Sequence, residues 1–224
     1  MHNPTNTSFP LKLAFDAWLS EAQSIVRHQS PVEELLAEHH VMASVLLAME
    51  AEAKSLMSGR SLRPDFWADL IEFNGNFVHL CHRLKEEVHF IPAMVEHRLL
   101  DQSQVSAFHH DHGVAKDLTL SIRDGVEEGD WEKVLKLVLL YLHLLRPHMK
   151  REEQTLLCVA GTKLPSQVAE KLREAFTAVD KQALAERGRV HYVDLARRLS
   201  QACGIECNFI SRNIGGTNGN LGRE

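Results

Sequence analysis

Apolar residues recur three and four positions apart along most of the chain, the spacing that gathers them on one face of an α-helix, and no stretch alternates with period two. Residues 11–28 carry Leu13, Trp18 and Ile25 in this way. Ser30-Pro31-Val32-Glu33 then opens a stronger stretch. Ser30 can cap, proline suits the first helical position, and Glu33 completes a capping box. Leu35, Leu36, Met42, Ala43, Leu46 and Leu47 follow, so a long helix is expected to about Met57. A second is expected from Pro64 or Asp65 past Glu87, kinked near Asn74-Gly75 and ended or bent at Pro92, with a short helix through Leu99 behind it. A third runs from Ser103 to about Arg123, with Gly125 after it. A fourth, capped by Asp130, covers Trp131 to about Cys158, kinks at Pro147 and ends at Gly161.

Residues 165–180 and 190–202 read as two further amphipathic helices, and the Asn- and Gly-rich tail from Asn208 reads as disordered. The expected fold class is all-α. An up-down-up-down antiparallel four-helix bundle spans residues 31–160, because short links favour antiparallel neighbours. An N-terminal extension with one helix (1–30), C-terminal helices packed on the bundle (161–207) and the tail (208–224) complete the division.

Composition narrows the function. With 25 Lys and Arg against 30 Asp and Glu, the net charge of -5 argues against a duplex nucleic-acid binder. No run of 18 apolar residues exists, which argues against a transmembrane bundle. The first fifteen residues lack the charged and long apolar regions of a signal peptide, so Cys81, Cys158, Cys203 and Cys207 are read as reduced thiols of a cytoplasmic protein. Cys203 and Cys207 stand in a C-x3-C pair that matches no standard zinc or redox spacing, and two ordinary thiols are the favoured reading.

Histidine is the outlying residue type. There are 14, and eleven lie between His39 and His148. His39 shares a helical face with Leu35, Leu36, Met42 and Ala43, and so points into the bundle. His82 has Glu86 four residues later, one above the other. His112 shares the face of Val105, Phe108 and Ala115, and His148 is followed by Glu152 at the same interval of four. Each sequential pair of helices therefore supplies one lone inward histidine and one His-x3-Glu pair.

Four imidazoles and two carboxylates converging in one core are costly unless paired or metal-bound. Bridging carboxylates with two imidazoles per ion describe a dinuclear site with open positions, suited to iron, manganese or zinc. A single His-x3-Glu pair is usually a solvated surface pair; the repetition carries the argument. The competing reading is satisfied core histidines with surface glutamates. His79 and His109, one turn before His82 and His112, are candidates for further ligands or for partners that orient ligands, with surface histidines as the alternative. Glu153 is a candidate substitute for Glu152 because of the Pro147 kink. Tyr141, two turns before His148, is a candidate hydrogen-bond donor to the site, although a core tyrosine is commoner.

These residues resemble the hemerythrin-like (HHE cation-binding) family over about residues 32–160. The matching stretches are Ala37-Glu38-His39-His40, His82 to Glu87 running into Phe90-Ile91-Pro92-Ala93-Met94, Asp111-His112, and His148 to Glu153. The resemblance implies a four-helix bundle with a carboxylate-bridged non-haem di-iron centre, its two Fe ions joined also by an oxo or hydroxo bridge, that binds dioxygen, nitric oxide or peroxide. The preference for iron over manganese or zinc rests on the resemblance.

The sequence departs from the oxygen carriers of the family, which place a fifth histidine four residues after the third-helix ligand. Here that position is Lys116. The remaining set resembles that of the family's iron-centre repair proteins, but residues 1–30 lack the cysteine of their N-terminal module. Only one Glu-x-x-His occurs, Glu86 to His89, which disfavours a ferritin-like site.

Two kinds of function follow as expectations. One is a reactive di-iron site, an oxidase or a protein of the oxidative or nitrosative stress response, that turns over O2, NO or H2O2 with an electron donor. The other is a non-catalytic sensor, carrier or iron-binding module. Turnover separates them.

Overall fold

The structure is a computed structural model that describes residues 30–184 and 187–205. The expectations for residues 1–29 and for the tail, and with them Cys207, lie outside the described residues. Within these, the chain is all-α, with no strand.

Helix α1 spans Pro31–Met57. Its start is the one the sequence encodes: Ser30 Oγ accepts from the Glu33 amide, and Glu33 answers by accepting from the Ser30 amide. The second helix is one continuous rod of mixed winding. It runs as α2 (Pro64–Phe73), a π-helical stretch Asn74–His82, a second π-helical stretch Lys85–Phe90, and α3 (Ile91–Glu96). Pro92 thus sits at the first positions of α3 and does not end the rod. At Asn74-Gly75, where the sequence predicts a kink, π winding begins.

Helix α4 spans Gln102–Glu128 and starts at a capping box of Asp101 and Gln104. It overruns the expected stop at Gly125. That glycine lies inside the helix, where an added Cβ would stand 3.0 Å from Val134 Cγ2. It permits a close approach to the next helix. The stop is Gly129, whose φ of 69° is the left-handed conformation that ends helices. Asp130 caps α5 (Trp131–Arg151), which continues through Pro147 into a third π-helical stretch, Glu152–Leu157, and then α6 (Cys158–Lys163). Gly161 is internal here also. The end comes at Leu164, extended ahead of Pro165, because a residue before proline is pushed out of the helical region. Two further helices follow, α7 (Ser166–Ala183) and α8 (Gly188–Ala202).

α1, the second rod, α4 and the α5–α6 rod form an up-down-up-down bundle. Around it, α1 lies along α5, α5 along α4, and α4 along α2. α1 and the second rod meet less extensively, and α7 and α8 cover that seam, α7 against the π-helical stretches and α8 against α1 and α2. The apolar core divides in two. One part, around Trp67, Phe73, Phe77, Met49 and Tyr141, takes in α8 through Leu195, Ala196 and Leu199. The other, around Leu35, Phe90, Met94, Phe108 and Leu156, takes in α7 through Leu172 and Phe176. His39, His82, Glu86, His112, His148 and Glu152 lie along the rods where one layer gives way to the other. No helix of the described residues is long and apolar enough to cross a membrane.

Candidate metal centre

His39 (α1), His82 (second rod), His112 (α4) and His148 (α5) all turn Nε2 toward the bundle axis, where Glu86 and Glu152 meet them. All six side chains are buried, and both glutamates are 0% exposed. Glu86 Oε1 is 3.4 Å from His82 Nε2 and 4.0 Å from His39 Nε2, while its Oε2 is 3.3 Å from His112 Nε2. Glu152 mirrors this. Its Oε2 is 3.4 Å from His39 Nε2, and its Oε1 is 3.4 Å from His112 Nε2 and 3.1 Å from His148 Nε2. Each carboxylate thus presents one oxygen to each half of the bundle.

The candidate ligand atoms fall into two overlapping sets, each within 4.8 Å: His39, His82, Glu86 and Glu152, and His112, His148 and Glu152. The imidazoles pair likewise, with ring centroids 4.9 Å apart for His39 and His82 and 4.7 Å for His112 and His148. Both glutamates stand in π-helical stretches, Lys85–Phe90 and Glu152–Leu157. Single π turns inside α-helices recur at functional sites.

The residues fit a bound cation. Among the described residues, both oxygens of Glu86, both of Glu152, and His39 Nε2 are buried without a hydrogen-bond partner. Buried carboxylate oxygens are seldom left so, because losing water without a replacement partner costs free energy. Two carboxylates and four imidazoles are a donor set for a divalent transition metal.

Each imidazole is also gripped from behind. His82 Nδ1 donates to Glu38 (2.7 Å), His148 Nδ1 to Asp111 (3.2 Å), His112 Nδ1 to Glu87 (3.0 Å) and His39 Nδ1 to Glu153 (3.1 Å). A carboxylate on Nδ1 places the proton there and leaves the Nε2 lone pair free to face an ion. Three of these four acids are themselves fixed by cations: Glu38 by Lys85 and Arg189, Glu87 by Arg83, and Asp111 by Arg151.

Glu38 joins the site to a buried ionic cluster beneath the C-terminal helices. Lys85, 0% exposed, reaches Glu34 (2.5 Å), Glu38 (2.6 Å) and Asp180 (2.6 Å). Arg189 meets the same three carboxylates. Burial alone would push Glu38 up, but Lys85 and Arg189 outweigh it and hold the carboxyl well below its usual range. The Cys81 thiol donates to Asp180 and is pushed up by burial, so it stays a thiol.

The other candidates fall elsewhere. His79 is buried, with Nε2 2.9 Å from Thr119 Oγ1, and is in neither ligand set. Burial drives its pKa down to about 3, so the ring is neutral. His109 is exposed, because it stands to the side of the buried line that Val105, Phe108 and His112 form along α4. Tyr141 is buried with its hydroxyl near Thr119 and makes no hydrogen bond to Glu86 or Glu152. Glu153 does not replace Glu152. It stands behind His39, since Glu152 continues the helix in the inward register past Pro147. Lys116, at the position of the carriers' fifth histidine, is exposed. Sequence reasoning passed over Glu38, Glu87 and Asp111 as partners of the histidines. The available signal was an acid directly beside four of the six candidate ligands: Glu38 before His39, Glu87 after Glu86, Asp111 before His112 and Glu153 after Glu152.

A fold of four antiparallel helices around buried histidines and glutamates defines a cation-binding bundle. The description hemerythrin HHE cation-binding domain matches residues 29–160, and the chain belongs to that family. A search of curated proteins and one of solved structures each found no match.

Proposed function

We propose that this protein holds a dinuclear non-haem iron centre and reacts there with a small ligand: dioxygen, nitric oxide or peroxide. The observation that carries the reading is the set of four buried glutamate oxygens without hydrogen-bond partners, facing four imidazole Nε2 atoms. His39 and His82 would hold one ion and His112 and His148 the other, with Glu86 and Glu152 bridging. Manganese or zinc suits the same donors, and family membership weighs toward iron. When bound, an iron pair supplies one-electron steps toward such ligands at its open coordination positions.

The protein's own residues do the rest. Glu38, Glu87, Asp111 and Glu153 fix the tautomer and aim of each imidazole. The apolar layers around Phe108, Phe90 and Tyr141 keep bulk water from the axis. With four histidines in place of five, more coordination positions stay open, and this favours a reactive site over a reversible carrier.

The test is turnover. Iron-loaded protein supplied with a reductant should consume O2, H2O2 or NO over many equivalents per chain. Uptake that stops at one equivalent would replace this reading with a sensor or carrier.

A further inference from the structure

A cleft of ≈ 510 Å³ opens between the second rod and α4, beside the candidate metal centre. Its volume lies within the range of small-molecule sites, roughly 300–1,000 Å³. Leu80, Leu84, Val88 and Leu120 wall it. Three of these are unusually open for large apolar side chains, Leu80 at 48%, Val88 at 53% and Leu120 at 40%, and they face one space. Such a contiguous apolar exposure marks a binding site more often than a lone exposed leucine does.

The charges around the cleft do not cancel. Arg83 is paired with Glu87 at 2.9 Å, and Glu87 is held further by His112. His79 and Thr119 in the lining satisfy each other. Lys116 is left over: exposed, on the lining, and with no carboxylate in ion-pair range among the described residues. One uncompensated cation over apolar walls is the complement of one anionic head on an apolar body.

We infer that this cleft binds an amphipathic monocarboxylate, its carboxylate on Lys116 and its aliphatic or aryl body along Leu80, Leu84, Val88 and Leu120. Glu87 gives the occupant a line to the centre, because the same carboxylate lines the cleft and holds His112 Nδ1. That the occupant acts as substrate or effector of the metals rests on the reading above; the binding itself does not.

The experiment is calorimetric titration of the full chain with octanoate, 1-octanol and octylamine, on chelated and on iron-loaded protein. Octanoate should bind saturably at one per chain and at least tenfold more tightly than either other probe, with metal or without. Lys116→Glu should weaken octanoate at least tenfold without moving the melting temperature, and Leu80→Asp should weaken octanoate and octanol together. Equal affinity for octanoate and octanol, no saturable octanoate binding, or an indifferent Lys116→Glu variant would overturn the inference. Since the chelated arm answers on its own, a failed metal reading leaves this result standing, and a failed cleft leaves the metal reading untouched.

Discussion

Glu38, the neighbour of His39 in the chain, serves His82, accepting the hydrogen bond from its Nδ1 at 2.7 Å. The second half of the bundle repeats the relation, with Asp111, the neighbour of His112, serving His148 at 3.2 Å. The acids after the central glutamates cross between halves, Glu87 to His112 and Glu153 to His39. The outer carboxylates thus follow the same two-fold repeat as the inner residues, which ties them to the histidines' task. Loss of such a partner typically costs 10–100-fold in metal affinity. Asp111→Asn should therefore weaken metal binding by roughly 10–100-fold while leaving the circular dichroism spectrum and stoichiometry unchanged. Competition with a chromophoric chelator measures it, and an unchanged affinity would show Asp111 to be idle.

The cluster under α7 and α8 makes a separate prediction about stability. Lys85 is fully buried among Glu34, Glu38 and Asp180. Removing one side of a buried ion pair leaves uncompensated charge and costs about 3–5 kcal/mol. Lys85→Met should destabilise the protein by about that amount in urea unfolding, since Arg189 alone cannot neutralise three carboxylates. A loss below about 1 kcal/mol would place the pair in the class of surface salt bridges.

Protonation should oppose metal loading. In chelated protein, burial pulls His39 down, but Glu152, Glu153 and Glu86 outweigh it and raise the imidazole to about 10. The same contest raises His112 to about 12. Burial would raise Glu152, yet His148, His112 and His39 hold it well below the carboxylate range. A histidine raised above its unfolded value of about 6.5 contributes full stability below that pH and loses it as the pH climbs through the folded value. The Glu152 contribution is present above about pH 4.3 and fades as the pH falls through its folded value. Chelated protein should thus melt highest between roughly pH 4.5 and 6.5 and lower by pH 9. Metal uptake must expel those protons, so affinity should rise with pH and loading should release protons measurable by pH-stat. Chelated protein equally stable at pH 5.5 and pH 9 would contradict this.

How much of this was legible in the sequence depends on the range of the interaction. Ser30 and Glu33 write the start of α1 three residues apart, and a 3.6-residue period suffices to put His39, His82, His112 and His148 on inward faces. Gly125 and Gly161 read as stops because glycine often ends helices. Whether it does so turns on what stands opposite, and Val134 lies across from Gly125. The π winding around Glu86 and Glu152 has no composition of its own. The pairing of Glu38 with Arg189 spans 151 residues, and no local pattern announces it. His109 and Tyr141 were placed by counting turns, which fixes a face of the helix but not what that face meets.

The proposed function requires two metal ions on the bundle axis. Elemental analysis of full-length protein, purified without chelator or nickel affinity and loaded anaerobically with iron, tests it most directly. Close to two irons per chain are expected in the wild type and close to none in a folded His82→Ala, His148→Ala double variant. No bound metal in the wild type, or a double variant that keeps the wild-type content, would contradict it.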